Sequence, residues 1–228
     1  KSFGYKHKKS DGFFYSAADI YFSAITPSAS GGQPASAYFM LKDGLSVPVI
    51  TVTLLYNLML YSVSILMISF IAFLVFPSLY FELHLVSKLL IGFGFLVQFL
   101  LIALFYGLLY KDKLLFSICR FVLNVLNKLH LISNVQDKLT KLSKMMEKYQ
   151  ESAKLLKGKR KVLLKSLFFN ILQRSCQIGV IVFVFLATNR SIDKVAVIWT
   201  MQSFVVLGAY CVPIPGAMGV TDYLMLDG

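Results

Sequence analysis

An all-α, polytopic membrane bundle with two broken or re-entrant segments is the fold class that three observations predict. The 228-residue chain is 57% hydrophobic and only 15% charged, with a mean hydropathy of +0.70. A water-soluble domain of this length seldom carries so few charges beside 20 Phe and 12 Tyr. Several apolar runs also reach the roughly 18–20 residues that cross a bilayer as helix. Finally, two short Gly/Pro-rich stretches interrupt this background. A bilayer tolerates irregular backbone only where protein or a water-filled cavity satisfies its N–H and C=O groups.

Residues 1–12 are basic and polar and do not form a cleavable apolar signal. The chain starts at Lys1 rather than Met and stops at Met225-Leu226-Asp227-Gly228 without a terminal anchor. It therefore reads as an excerpt of a longer protein, and helix counts are lower bounds. Residues 13–41 are moderately apolar but broken at Ile25-Thr26-Pro27-Ser28-Ala29-Ser30-Gly31-Gly32-Gln33-Pro34, and Lys42-Asp43-Gly44 then punctuates the chain. Residues 47–76 form a first span, with Pro48 suited to a first helical turn. After a short loop, residues 84–110 form a second span. These elements make up a first membrane half, residues 1–110.

Residues 111–165 differ in kind. They hold fourteen Lys/Arg and four Asp/Glu, a balance of +10 within the chain's formal +12. Phe121, Val122, Val125, Leu126 and Leu129 recur at helical spacing, as do Leu139, Leu142, Met145 or Met146, and Tyr149. The pattern predicts two amphipathic helices parted near Ser133-Asn134 and ending near Gly158, a basic linker over 111–161. Such cationic faces suit anionic lipid headgroups. Aromatics and basics do not interleave as on a nucleic-acid reading surface, so no nucleic-acid partner is expected in this stretch. The second membrane half, 162–228, is truncated. It comprises a span over about 162–187 and a broken segment over about 195–228 containing Pro213-Ile214-Pro215-Gly216-Ala217-Met218-Gly219.

Loops rich in Lys and Arg stay in the cytoplasm, which puts residues 1–12 and the linker on that side. Two spans lie between Lys42 and Lys111, so residues 13–41 begin and end inside. They dip in and return as a hairpin, or they lie along the interface; the apolar flanks Phe13-Phe14-Tyr15 and Tyr38-Phe39-Met40-Leu41 fit the dip better. The end of the chain echoes this stretch weakly, with residues 31–41 laid over 216–226 sharing the leading Gly and then Tyr, Met and Leu. Three spans separate the two motifs, so they approach from opposite faces. Gly/Pro-interrupted segments in inverted halves point to the substrate site of transporter folds.

A helix restarting at Pro34 has the N–H groups of Ala35, Ser36 and Ala37 near the break, and the positive end of its dipole suits a phosphate or carboxylate. Gly31 and Gly32 let backbone approach a ligand, and Thr26, Ser28, Ser30 and Gln33 offer neutral hydrogen bonds. Pro213, Pro215, Gly216 and Gly219 do the same from the other face, with Asp222 on the following turn. Each glycine or proline alone is ordinary loop chemistry; the two clusters together favour a site. Arg174 lies about twelve residues into the third span, roughly 18 Å deep. Intramembrane Arg costs roughly 2.5–3.5 kcal/mol on insertion scales and faces a cavity or a partner. Asn170, Arg174 and Gln177 share one helix face, with Gln173 adjoining. That stripe grips a headgroup phosphate bidentately, or it pairs Arg174 with Asp222 or Asp19, or Arg174 snorkels to the interface from a shifted span. Asn57 and Gln98 read as helix–helix glue.

Catalytic and metal chemistry find little support. Cys119, Cys176 and Cys211 show no CxxC spacing, and His7, His84 and His130 stand at no ligand spacing. No Walker loop, GxSxG or HExxH motif is present. No catalytic residue, metal or cofactor is expected.

Residues 25–35 (ITPSASGGQPA) and 212–219 (VPIPGAMG) resemble the transmembrane domain of the lysylphosphatidylglycerol synthase/flippase family and its stand-alone integral membrane relatives. The resemblance covers most of the chain. The second motif departs from the family's usual Pro-Gly-Gly-x-Gly-x-x-Glu, with Ala217 at the second Gly and Asp222 at the Glu. The resemblance implies a bacterial, multi-pass cell-membrane module that moves aminoacylated phospholipid, such as lysyl-phosphatidylglycerol, to the outer leaflet, with resistance to cationic antimicrobial peptides as the outcome. Its implied partners are phospholipid and membrane, and it leaves room for a homo-oligomer. Fused members add a soluble domain that makes the lipid from lysyl-tRNA, so one alternative is the membrane part of a phosphatidylglycerol lysyltransferase. A translocator of polyprenyl-phosphate-linked sugars is another, since a half-helix terminus needs only a phosphate.

Overall fold

The computed structural model describes residues 9–26, 30–111, 116–118, 120–121, 135–189, 192–209 and 219–227. Among these residues the nine main elements are all helical: α1 (Lys9–Ile25), α2 (Gly32–Lys42), α3 (Val47–Val75), α4 (Pro77–Glu82), α5 (Leu85–Tyr110), α6 (Val135–Lys157), α7 (Arg160–Asn189), α8 (Val195–Ala209) and α9 (Val220–Asp227). Three of them, α3, α5 and α7, are long and apolar enough to cross a membrane. With no strand among the described residues, the chain is the all-α polytopic bundle that its composition predicts.

α3 is the central post and packs against α2, α4, α5, α6, α7 and α8. It starts where Pro48 occupies the first turn, a place that lacks an intrahelical acceptor in any case. Three of its hydroxyls are satisfied within the helix: Thr51, Thr53 and Ser64 each donate to the carbonyl four residues earlier, at 2.8–2.9 Å. Local bonding of this kind lets hydroxyls sit in a lipid-embedded helix without an unpaired donor. α5 runs antiparallel to α3, and the Tyr56 and Tyr110 hydroxyls meet at 2.8 Å.

Two apolar cores divide α3 between them. At the end carrying α6, Val52, Tyr56 and Leu60 pack with Leu109 of α5 and with Met146, Tyr149, Ala153 and Leu156 of α6. The Tyr149 hydroxyl adds a 2.8 Å hydrogen bond to the Leu108 carbonyl. α6 is thus attached by its apolar face, while Lys144, Lys148 and Lys154 stay exposed. At the opposite end, Ile65 and Ala72 pack with Leu83, Ile91, Met201, Phe204, Val205, Leu207 and Leu224.

The remaining helices form two hairpins that open toward opposite ends of the bundle. α1 and α2 pair antiparallel. The Ser36 hydroxyl donates to the Tyr15 carbonyl at 2.7 Å, and the Tyr15 hydroxyl donates to Asp43 at 2.6 Å, so both feet stand at the α6 end. α8 enters from the other end, where the Ser69 hydroxyl donates to the Ser203 carbonyl at 3.1 Å. Its last turn reaches Gly94 of α5; a Cβ there would lie 2.6 Å from the Leu207 carbonyl oxygen. α9 returns to the starting end, where the Asp227 carboxylate accepts the His84 N–H at 3.0 Å and also meets the His84 ring.

Candidate functional site

Arg174 sits near the middle of α7, and Tyr61 near the middle of α3, each about 21 Å from its helix start at 1.5 Å per residue. The guanidinium lies over the Tyr61 ring, 3.8 Å from its centroid. A cation over an aromatic face in a desolvated place gains about 2 kcal/mol. Nη1 donates to Gln177 Oε1 at 2.5 Å, one turn along the same helix. The Asp19 carboxylate of α1 lies near enough to attract the guanidinium. Of the two acidic partners open to Arg174 from sequence, the structure brings up Asp19. Nε is buried and without a partner among the described residues.

Asp19 also ties the first hairpin together. Gln33 Nε2 donates to its two carboxylate oxygens at 3.3 and 3.4 Å, which leaves Gln33 Oε1 buried and unpartnered among the described residues. α2 begins at Gly32 rather than Pro34, with Gly31 as its N-cap. The Ala35 N–H therefore donates to the Gly31 carbonyl at 3.1 Å and does not face a ligand, contrary to the expectation from Pro34. Pro34, exposed in the first turn, has no N–H to offer.

The space around the two glycines is taken by α1. A Cβ on Gly32 would collide with the Ser23 hydroxyl and the Asp19 carboxylate, and would lie 2.6 Å from the Asp19 carbonyl oxygen. One on Gly31 would lie 2.5 Å from Thr26 Cγ2. The Thr26 hydroxyl donates to the Phe22 carbonyl at 2.6 Å and accepts the Gly31 N–H at 2.8 Å, closing the turn. The anion at this half-helix N-terminus is the protein's own Asp19. Ser30 is exposed at the turn; Pro27 and Ser28 lie outside the described residues.

Asn170 is separated from Arg174 in its surroundings. Its Nδ2 donates to the Ser166 carbonyl at 3.3 Å, and it lines a cavity of about 440 Å³ with Thr53, Tyr56, Asn57 and Leu156. Asn57, read as helix glue, is therefore a cavity-wall residue. Further along the α3–α7 seam an apolar groove of about 430 Å³ is lined by Ile71, Val75, Val182, Phe183 and Trp199. Along both helices, Arg174 and Tyr61 fall between the two hollows. Tyr61 was not visible as a site residue in the sequence, where one more tyrosine in an aromatic-rich span carries no signal.

In the second hairpin, Pro213, Pro215 and Gly216 lie outside the described residues. Gly219 has a left-handed φ of +85°, a conformation that favours glycine. Its N–H donates to Asp222 Oδ2 at 3.2 Å, so the exposed Asp222 closes the first turn of its own helix. Gln98 is buried in α5, with Oε1 unpartnered among the described residues.

The family model described as "Lysylphosphatidylglycerol synthase TM region" matches residues 1–226, and the chain belongs to that family. No curated protein and no solved structure matches it.

Proposed function

We propose that this chain, as a member of that family, is a lipid translocator that carries aminoacylated phospholipid, such as lysyl-phosphatidylglycerol, to the outer leaflet of the cell membrane. The observation that carries the reading is Arg174, a half-buried mid-helix guanidinium whose Nε lacks a partner among the described residues. A buried donor without an acceptor costs about 1–3 kcal/mol, more when charged, and a ligand phosphate removes that penalty.

The hollows on either side of Arg174 supply a route. With the basic linker in the cytoplasm, as its charge demands, the cavity walled by Thr53, Asn57 and Asn170 opens from the inner half and suits a polar headgroup. The apolar groove lies in the outer half and suits acyl chain. The headgroup passes Arg174 and Gln177 along the α3–α7 seam beside the first hairpin (Thr26, Ser30, Gly31, Gly32, Gln33, Pro34). The second hairpin, with Gly219 and Asp222, approaches from the outer side as the inverted counterpart, the arrangement of transporters that bind at a repeat interface. Export of a cationic lipid makes the cell surface less anionic, hence resistant to cationic antimicrobial peptides.

The test is leaflet transfer of labelled lysyl-phosphatidylglycerol in proteoliposomes. Transfer by the wild-type chain is expected, and its absence overturns the reading. A second reading is favoured by the word synthase in the family's description: the chain is the membrane part of a phosphatidylglycerol lysyltransferase. Sequencing the parent gene beyond Gly228 for a soluble aminoacyl-transferring domain decides that.

A further inference from the structure

We propose that the corner joining α6 to α7 docks on the anionic lipid headgroups of the inner leaflet and thereby holds α6 in place beside the polar cavity. The inference goes beyond the translocator reading, because it concerns where α6 rests, whatever the cavity holds.

Positive charge is concentrated at this corner. Residues 152–165 contain Lys154, Lys157, Lys159, Arg160, Lys161 and Lys165 and no acidic residue. Of these, Lys154, Arg160, Lys161 and Lys165 are exposed. On α7, Lys161 and Lys165 begin a stripe that continues at helical spacing through Phe168 and Leu172, all of it exposed. Apolar side chains exposed along a spanning helix face acyl chains, so lysines at the linker end of that stripe stand at headgroup depth. The stem of Lys165 lies along the apolar surface, with Nζ 5.9 Å from the centroid of the Phe169 ring. Leu155 and Leu164 are exposed beside these cations. A surface that offers cations and apolar side chains together fits a leaflet, where phosphates stand above acyl chains. A nucleic acid would answer the charge alone.

The corner is also a wall of the cavity. Leu156 of α6 lines it with Val162, Leu163 and Ser166 of α7, together with Thr53 and Asn57 of α3. The turn between the two helices is tight. The Gly158 N–H donates to the Lys154 carbonyl at 3.2 Å, and the Lys159 N–H to the Leu156 carbonyl at 2.9 Å. What holds the corner therefore also holds the end of α6. The rest of α6 is fixed to α3 and α5 by one apolar face, while Lys144, Lys148, Glu147 and Glu151 are exposed.

Hydrogen exchange of the full chain in nanodiscs tests this, with discs of phosphatidylcholine alone or mixed with phosphatidylglycerol or phosphatidylserine. Exchange across α6 is expected to slow about fivefold or more in both anionic discs, the effect of one basic residue at an anionic surface. Raised salt is expected to remove the difference, because exposed charges are screened. Lys161→Gln with Lys165→Gln should lose most of the slowing. Glu147→Gln with Glu151→Gln should increase it, and decides the matter if the lysine variant does not fold. Equal exchange in neutral and anionic discs overturns the docking, as does a charge variant that leaves the response unchanged. Slowing by phosphatidylglycerol but not phosphatidylserine also overturns it, by pointing to a headgroup-specific ligand. Equal slowing by a short RNA added to neutral discs overturns it in favour of a nucleic-acid surface.

Discussion

The two hairpins share a plan and differ in how they are held. In α8–α9, Met201, Phe204, Val205, Leu207 and Leu224 are buried in the core shared with α3 and α5. In α1–α2, Phe13, Phe14, Ile20, Tyr21, Ile25, Tyr38 and Leu41 are exposed, and of the larger apolar side chains Met40 is the buried one. The second hairpin is part of what holds the bundle together. The first is closed on itself by hydrogen bonds, from Ser36 to the Tyr15 carbonyl, from Tyr15 to Asp43 and from Gln33 to Asp19. A membrane protein gains little from packing apolar side chains on one another rather than on lipid tails, so well-fitted contacts and polar bonds decide which parts are rigid. The second hairpin supplies core packing, and the first leaves most of its large apolar side chains exposed.

That contrast breaks most visibly under truncation of matched aromatics. Phe204→Ala opens a cavity in a fully buried place and is expected to cost about 3–5 kcal/mol in a detergent unfolding titration. Tyr38→Ala, at an exposed place, should stay within about 0.5 kcal/mol. Comparable losses would remove the distinction between the hairpins.

Glycine substitutions sharpen it. Gly94→Leu drives a side chain into the Leu207 backbone between α5 and α8, where overpacking costs about 1–3 kcal/mol and lowers the yield of folded protein. Gly32→Leu forces α1 from α2 but touches neither core. It is expected to leave the melting temperature of the bundle nearly unchanged while abolishing lipid transfer. The smallest effect is that of Ser36→Ala, which removes the bond to the Tyr15 carbonyl. It should cost about 1 kcal/mol, seen as faster hydrogen exchange in α1 and α2 with α8 unaffected.

The sequence disclosed those features whose physics is local to one segment. Hydropathy marked the three long helices, since lipid asks the same of every residue along a span. The breaks at 25–34 and 213–219 stood out because Gly and Pro are costly inside helices, and Arg174 because a charge in an apolar run needs a reason. What depends on a partner helix was hidden. Spacing alone did not reveal that Tyr61 lies under Arg174, that Asp19 occupies the α2 terminus expected to greet a ligand, or that Asn170 lines a hollow that Arg174 does not. Gly31 and Gly32 were legible as places of close approach; the approaching group is α1 itself. The contact between His84 and Asp227 joins residues far apart in the chain, and neither residue type signals the other.

The central claim is that a lipid headgroup crosses the bundle by way of Arg174. Transfer of labelled lysyl-phosphatidylglycerol between leaflets, measured in proteoliposomes for the wild type and for Arg174→Ala at equal amounts of folded protein, tests it directly. Rapid transfer is expected for the wild type, and a rate at the protein-free background for the variant. Equal rates for the two would contradict it.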